Sequence, residues 1–228
     1  MPKCPFATWN PITGNVGPYT AGPFRIVHHT TEGSTAKGAL STYRTKRNDP
    51  HFTVDHEKIF QHIDTALSAR SLRNNSGGVQ TNKHSALQIE VVGFAHRPKS
   101  AGTLSNVARL CRWLELQHDV LTIWPNGPPK IATSDGRDPG GHNRDATVWA
   151  TMGGHYGHSQ VPENTHWDPA YTASELEFLM EAEFTDEGEL RFAADMLHFD
   201  SFDRQAIDLS TDVSTMPDHG DYDEYDCY

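Results

Sequence analysis

Three side chains able to bind a metal lie close together in a segment that has neither helical nor strand periodicity. The segment GHSQVPENTHWDPAY, residues 157–171, contains His158, His166 and Asp168. Neutral imidazoles and carboxylates are common zinc ligands, and a catalytic zinc site uses three protein ligands while a fourth position stays open for water. One further ligand from another part of the chain would complete such a set with His158 and Asp168.

The candidate for that ligand is His28, near the end of the apolar stretch FRIVHHT (24–30), which predicts a β-strand. Successive side chains on a strand point to opposite faces, so only one of His28 and His29 can enter a given site. We expect His28, His158 and Asp168 to form the metal site. A strand-end histidine paired with solvent or with a backbone carbonyl is the alternative interpretation of His28.

The rest of the chain predicts an α/β fold, a central mixed β-sheet flanked by helices. The near-continuous apolar run in SALQIEVVGFA (85–95) is typical of a central strand covered on both faces. Residues 122–170 are rich in Gly, Pro, Asn and Asp and predict a long irregular segment. The other predicted elements are a strand at 24–30, helices at 34–47, 103–121 and 172–184, and a β-hairpin at 51–64.

Charge is distributed unevenly along the 228 residues. Residues 1–182 carry 17 Lys and Arg against 16 Asp and Glu, whereas residues 183–228 carry 2 against 14. No clustered basic patch indicates a nucleic-acid partner, and no apolar run is long enough to span a membrane. The three cysteines, Cys4, Cys111 and Cys227, are too scattered for a disulfide framework, and Cys111 is expected to be a buried thiol.

Three blocks in this order, IVHHT (26–30), SALQIEVVGF (85–94) and GHSQVPENTHWDP (157–169), resemble the type 2 N-acetylmuramoyl-L-alanine amidases. These zinc enzymes share a fold with peptidoglycan recognition proteins and include many phage endolysins. The resemblance spans roughly residues 20–182. We therefore expect an amidase domain at 1–182, in which residues 1–22, rich in Pro, Gly, Asn and Thr, form an extended arm. The acidic residues 183–228 are expected to form a tail, with one helix predicted by the pattern at 188–199.

The resemblance also implies roles for individual residues. The family's three zinc ligands match His28, His158 and Asp168, and its acidic catalytic residue matches Glu90. Where the family often has a lysine two positions before the third ligand, this chain has His166, which can still stabilise an oxyanion by hydrogen bonding. His51 and Tyr156 are expected to contact the substrate, although Tyr156 can equally be a structural aromatic.

The implied reaction is hydrolysis of the amide bond between N-acetylmuramic acid and L-alanine in peptidoglycan. We expect Zn²⁺ as the cofactor, Glu90 as the proton carrier, and a peptidoglycan or muropeptide substrate bound by a monomer. The N-terminus lacks the apolar core of a signal peptide. We therefore expect cytoplasmic synthesis and action on the cell wall after release, as in a phage-type endolysin.

Two other functions remain open at this level. A cytoplasmic enzyme that recycles muropeptides would use the same chemistry on soluble substrates, and a peptidoglycan-binding module would retain the groove without hydrolysis. An unrelated metallopeptidase is disfavoured because the chain has no HExxH motif.

Overall fold

The computed structural model describes residues 3–12, 14, 17–185 and 187–191. A six-stranded sheet forms the centre of the protein, with strand order β1-β4-β3-β5-β2-β6. The β3–β4 pair is antiparallel and the other neighbouring pairs are parallel, which confirms the predicted mixed sheet. The strands are β1 (Thr8–Trp9), β2 (Arg25–Thr30), β3 (Phe52–Val54), β4 (Ile59–Gln61), β5 (Ala86–Val91) and β6 (Gly154–Gly157).

Within the described residues, four α-helices accompany the sheet: α1 (Ala36–Lys46), α2 (Ala101–His118), α3 (Ala146–Thr151) and α4 (Ala173–Glu181). Helix α1 is capped by Thr35, whose hydroxyl accepts a hydrogen bond from the Gly38 amide. Helix α4 begins with a capping box, in which the Thr172 and Glu175 side chains each accept a hydrogen bond from the other residue's backbone amide.

The main core lies between one face of the sheet and the helices α2 and α4. Strand side chains such as Ile26, Leu87 and Ile89 pack there with Leu110 of α2 and Leu179 of α4. These side chains are at most 2% exposed, so this face of the sheet is inaccessible to a substrate. Cys111 also lies in this core, as the sequence predicted.

A smaller apolar cluster covers part of the opposite sheet face. Val27, Ala86 and Tyr156 pack there with Trp149 of α3. Because strands β2, β5 and β6 are parallel neighbours, their carboxyl ends lie at one edge of the sheet. Binding sites in open α/β sheets favour the carboxyl ends of the strands, and this edge carries the chemistry described below.

The structure differs from the sequence-based prediction in the segment before α4. The segment 122–170 is not wholly irregular, since it contains α3, β6 and a short 3₁₀ helix at His158–Gln160. Strand β6, with the sequence GHYG, lacks the apolar alternation that predicts a strand. Its pairing with β2 therefore comes from tertiary contacts.

The predicted helix at 188–199 is wrong where it can be compared. Leu190–Arg191 forms a strand, β8, that pairs antiparallel with β7 (Glu183–Phe184). The remainder of that predicted helix and of the acidic tail lies outside the described residues. Among the helices that are described, none is both long and apolar enough to cross a lipid bilayer.

Candidate metal centre and active site

Three neighbouring parallel strands bring polar side chains to the same edge of the sheet. His29 is near the end of β2, Glu90 is near the end of β5, and His158 directly follows β6. The loop after the 3₁₀ helix folds back and places Asp168 beside them, with a hydrogen bond from the Ser159 amide to the Asp168 carbonyl. All four residues are at most 7% exposed.

His29, His158 and Asp168 form a compact set of possible metal ligands. Their ligand atoms lie within 4.8 Å of one another. His29 Nδ1 is 3.0 Å from His158 Nδ1, which in turn is 3.3 Å from Asp168 Oδ1. Two atoms bound to the same zinc ion at its usual bond lengths and tetrahedral angles are about 3.3 Å apart, so this donor set fits zinc.

The structure contradicts the prediction that His28 binds a metal together with His158 and Asp168. His28 and His29 point to opposite faces of β2, and His29 faces the other two ligands. His28 lies in the main core instead, with its Nε2 atom 3.0 Å from His155 Nδ1. Strand geometry predicts that the two imidazoles point to opposite faces of β2. Because both faces of β2 are buried, the sequence pattern could not identify which imidazole faces the site.

Atoms behind the ligand set hold it in place. The Asn164 side-chain oxygen is 3.0 Å from His158 Nε2, where it accepts the ring N–H and leaves Nδ1 free for a metal. The Thr30 amide donates to Asp168 Oδ2 at 2.8 Å, so the other carboxylate oxygen faces the histidines. Burial opposes ionisation of Asp168, but His158, His29 and His166 hold the pKa of its carboxyl below the usual range.

Glu90 has the position and environment of a proton carrier. Its Oε1 atom is 4.0 Å from His29 Nδ1, and the two residues are direct partners in the β2–β5 pairing. Burial raises the pKa of the Glu90 carboxyl well above its ordinary value, and the nearby carboxylates of Asp168 and Glu32 add to this effect. A strongly shifted carboxyl beside a possible metal site is typical of catalytic acids and bases.

His166 lies against the ligand set from the solvent side. Its ring stacks on that of His158, with ring centroids 4.5 Å apart and planes 10° from parallel. Its Nδ1 atom is 3.7 Å from Asp168 Oδ1, and its side chain is 37% exposed. Burial, and then His158, lower the pKa of His166 to about 4, so near pH 7 the ring is neutral and has one N–H to donate.

The two residues predicted to contact the substrate are enclosed by the protein. His51 is fully buried, and its ring nitrogens contact the Gln88 amide and the Leu67 carbonyl. Tyr156 is also fully buried, and its hydroxyl donates to the Met152 carbonyl at 2.9 Å. Neither side chain reaches the protein surface, so this structure favours a structural role for both, and their contact with a substrate stays a prediction.

A family comparison decides the identity of this fold and site. The model of the N-acetylmuramoyl-L-alanine amidase family matches residues 20–171, a range that includes His29, Glu90, His158 and Asp168. The chain belongs to this amidase family. A comparison with curated protein sequences gives no match.

Solved structures agree with the amidase fold. The hydrolase AmiA from Staphylococcus aureus, determined in complex with its ligand, superposes with a TM-score of 0.50 at 16% identity, covering 78% of this chain and 82% of AmiA. The endolysin and N-acetylmuramoyl-L-alanine amidase LysCS from Clostridium intestinale URNW also gives 0.50, at 12% identity, covering 77% of this chain and 95% of LysCS. At these low sequence identities the two comparisons show similarity of fold alone.

Sequence reasoning missed three residues of the amidase site. His29 was the unchosen member of a histidine pair, and the register of β2 against β5, which puts His29 opposite Glu90, would have identified it. Nothing in the sequence around Asn164 or Thr30 indicated a role in the site. Their contacts to His158 and Asp168 depend on how a loop folds back over a strand end, which no periodicity encodes.

Proposed function

We propose that this amidase hydrolyses the amide between the lactyl group of N-acetylmuramic acid and L-alanine by means of a zinc ion bound by His29, His158 and Asp168. The observation that carries the proposal is the convergence of this donor set with Glu90 at one strand edge. The set contains two imidazoles and one carboxylate, a combination found in catalytic zinc sites that keep a position open.

Zinc, when bound, polarises the scissile carbonyl and makes a water molecule acidic enough to attack near neutral pH. Glu90 accepts the proton of that water as its oxygen bonds to the carbonyl carbon. A divalent ion bound beside Glu90 would favour the ionised carboxylate that this step requires, against the burial that raises its pKa. Glu90 then gives the proton to the amide nitrogen as the C–N bond breaks, releasing the amine of L-alanine and leaving the lactyl carboxylate.

His166 completes the site as a hydrogen-bond donor. Stacking on His158 fixes the plane of its ring next to the ligand set while one edge remains partly exposed. The neutral ring directs its single N–H towards the oxygen that gains negative charge when water attacks. One such donor is worth about 10²–10³ in rate in other acyl-transfer enzymes.

The proposal also includes the bounds of the amidase domain and its biological role. We assign the amidase domain to residues 1–182, which contain the sheet, the helices and the whole ligand set. LysCS, one of the fold neighbours, is named an endolysin, and we extend that role, lysis of the intact cell wall, to this chain. Intact sacculi as the preferred substrate would support this role, and soluble anhydro-muropeptides would point to recycling.

Mass analysis of peptidoglycan products tests the reaction. Purified sacculi are digested with the native chain, with and without a chelator, and with an Asp168→Ala variant. Free stem peptides beginning with L-alanine are expected from the native chain alone, and zinc added after chelation should restore them. Stem peptides still attached to muramic acid under all conditions would refute the proposal.

A further inference from the structure

A second group of metal-binding side chains lies on the other face of β2. It consists of His28 from β2, Cys111 from α2 and His155 from β6, whose possible ligand atoms are within 4.8 Å of one another. The three side chains are at most 1% exposed and lie between the sheet and α2. The active-site chemistry proposed above uses none of them.

The two imidazoles face each other through one nitrogen each. His28 Nε2 is 3.0 Å from His155 Nδ1. Two nitrogens bound to the same tetrahedral zinc ion are about 3.3 Å apart, so a shift of a few tenths of an ångström would admit an ion. Without a metal, one proton lies between these atoms and joins them in a hydrogen bond.

The outer nitrogen of each ring has an oxygen partner. His28 Nδ1 is 3.2 Å from the Tyr171 hydroxyl, and His155 Nε2 is 2.8 Å from Glu115 Oε1. Arg112 holds that same carboxylate oxygen at 2.9 Å. Metal-binding histidines nearly always donate their outer N–H to a carboxylate or another oxygen, which fixes the tautomer and the ring orientation.

We propose that His28, Cys111 and His155 form a second, buried site for a thiolate-binding transition metal, with zinc as the expected ion. A set of one sulfur and two imidazole nitrogens suits zinc and does not suit magnesium or calcium. The ion joins β2, β6 and α2, which otherwise meet there only through packing and hydrogen bonds. Its role is therefore to stabilise the fold beneath the strand that carries His29.

Metal binding at this cluster requires one proton to move within the site and one to leave it. The metal-free chain needs His28 protonated on Nε2 and His155 protonated on Nε2, because Glu115 accepts from the latter. On binding, His28 moves its proton to Nδ1, where the Tyr171 oxygen accepts it, and both rings stay neutral. The Cys111 thiol loses one proton to solvent as its sulfur binds the ion.

Cobalt substitution and zinc analysis of the full chain test the second site separately from the first. The native chain should contain two zinc ions, and both the His158→Ala/Asp168→Ala variant and the Cys111→Ser variant should contain one. Cobalt bound to a thiolate gives a near-ultraviolet charge-transfer band. That band should appear in the native chain and in the His158→Ala/Asp168→Ala variant and disappear in Cys111→Ser.

A Cys4→Ser/Cys227→Ser variant is the matched control, because it leaves Cys111 as the single thiol and should keep the band. If Cys111→Ser fails to fold, the cobalt spectra of the other variants still show whether a thiolate binds the metal. Absence of the thiolate band from the folded His158→Ala/Asp168→Ala chain would overturn the proposal and leave the cluster as a hydrogen-bonded chain. One zinc ion with a thiolate band in the native chain would support this site and count against the catalytic one.

Discussion

His29 and Glu90 are direct partners across the β2–β5 pairing, and 4.0 Å separates His29 Nδ1 from Glu90 Oε1. Parallel pairing at the carboxyl ends of two adjacent strands thus places a proposed metal ligand and a proposed proton carrier on the same face of the sheet. Neither position depends on a flexible loop, since both strands are buried along their whole length.

The Glu90→Gln substitution tests the proton carrier. Glutamine keeps the shape and burial of the side chain but cannot accept the water proton, so turnover should fall by about 10²–10⁴. The zinc content should not change, because Glu90 is not a ligand. Hydrolysis of purified peptidoglycan and metal analysis of the same preparation measure the two effects. Glu57→Gln, at an exposed position, is the control, and equal turnover in both variants would refute the role of Glu90.

Paired substitutions of the adjacent histidines test the ligand assignment. His29→Asn removes a proposed ligand and should lower hydrolysis by more than the roughly 10–100-fold typical of a residue that only supports a ligand. His28→Asn alters the opposite face of the strand and should lower turnover far less. Turnover per folded molecule, with folding checked by circular dichroism, separates the two. A larger loss of activity in His28→Asn than in His29→Asn would instead indicate that His28 is the catalytic ligand.

The sequence predicted most of the sheet because its strands have strong local signals. It also selected Glu90, His158 and Asp168, which the structure brings to one edge of the sheet. The apolar run around Glu90 identified the central strand, and strand alternation showed correctly that His28 and His29 diverge. Choosing between them required the register against β5. Register is a property of two segments about sixty residues apart, and a single sequence does not display it.

The burial of His51 and Tyr156, which the sequence did not predict, has a related physical cause. His51 and Tyr156 are polar-tipped side chains near predicted site segments, and such residues are found both in grooves and in cores. Whether they reach solvent depends on what covers them. Here Tyr19 and Leu67 lie over His51, and α3 lies over Tyr156. Tyr19 and Leu67 are far from His51 in sequence, whereas α3 ends only a few residues before Tyr156 and covers it because the chain folds back.

Asn164 is predicted to tune metal affinity without binding the metal. Its side-chain oxygen accepts from His158 Nε2 at 3.0 Å, so Asn164→Ala should weaken zinc binding about 10–100-fold. Competition with a chromophoric chelator measures the dissociation constant. Asn164→Asp keeps an acceptor oxygen at the same place and should restore much of the affinity. If alanine and aspartate bind zinc equally well, the contact has no role in orienting His158.

His51 is predicted to make the free energy of unfolding depend on pH. Burial lowers the pKa of His51 to about 4, and the ring accepts a hydrogen bond from the Gln88 amide, which excludes a second ring proton. Below about pH 6.5 the unfolded chain takes up a proton that the folded chain refuses until about pH 4. Stability should therefore fall as the pH decreases through this interval, by up to about 1.4 kcal/mol per pH unit from this residue.

Urea unfolding between pH 7 and pH 4.5, with a chelator present, measures this contribution. His51→Gln should be less stable than the native chain at pH 7, because a buried hydrogen-bonding group is altered. Its stability should nevertheless fall less steeply with decreasing pH, since the titrating imidazole is gone. His56→Gln removes an exposed imidazole and should leave the native slope unchanged. Parallel pH profiles for the native chain and His51→Gln would show that other groups cause the dependence.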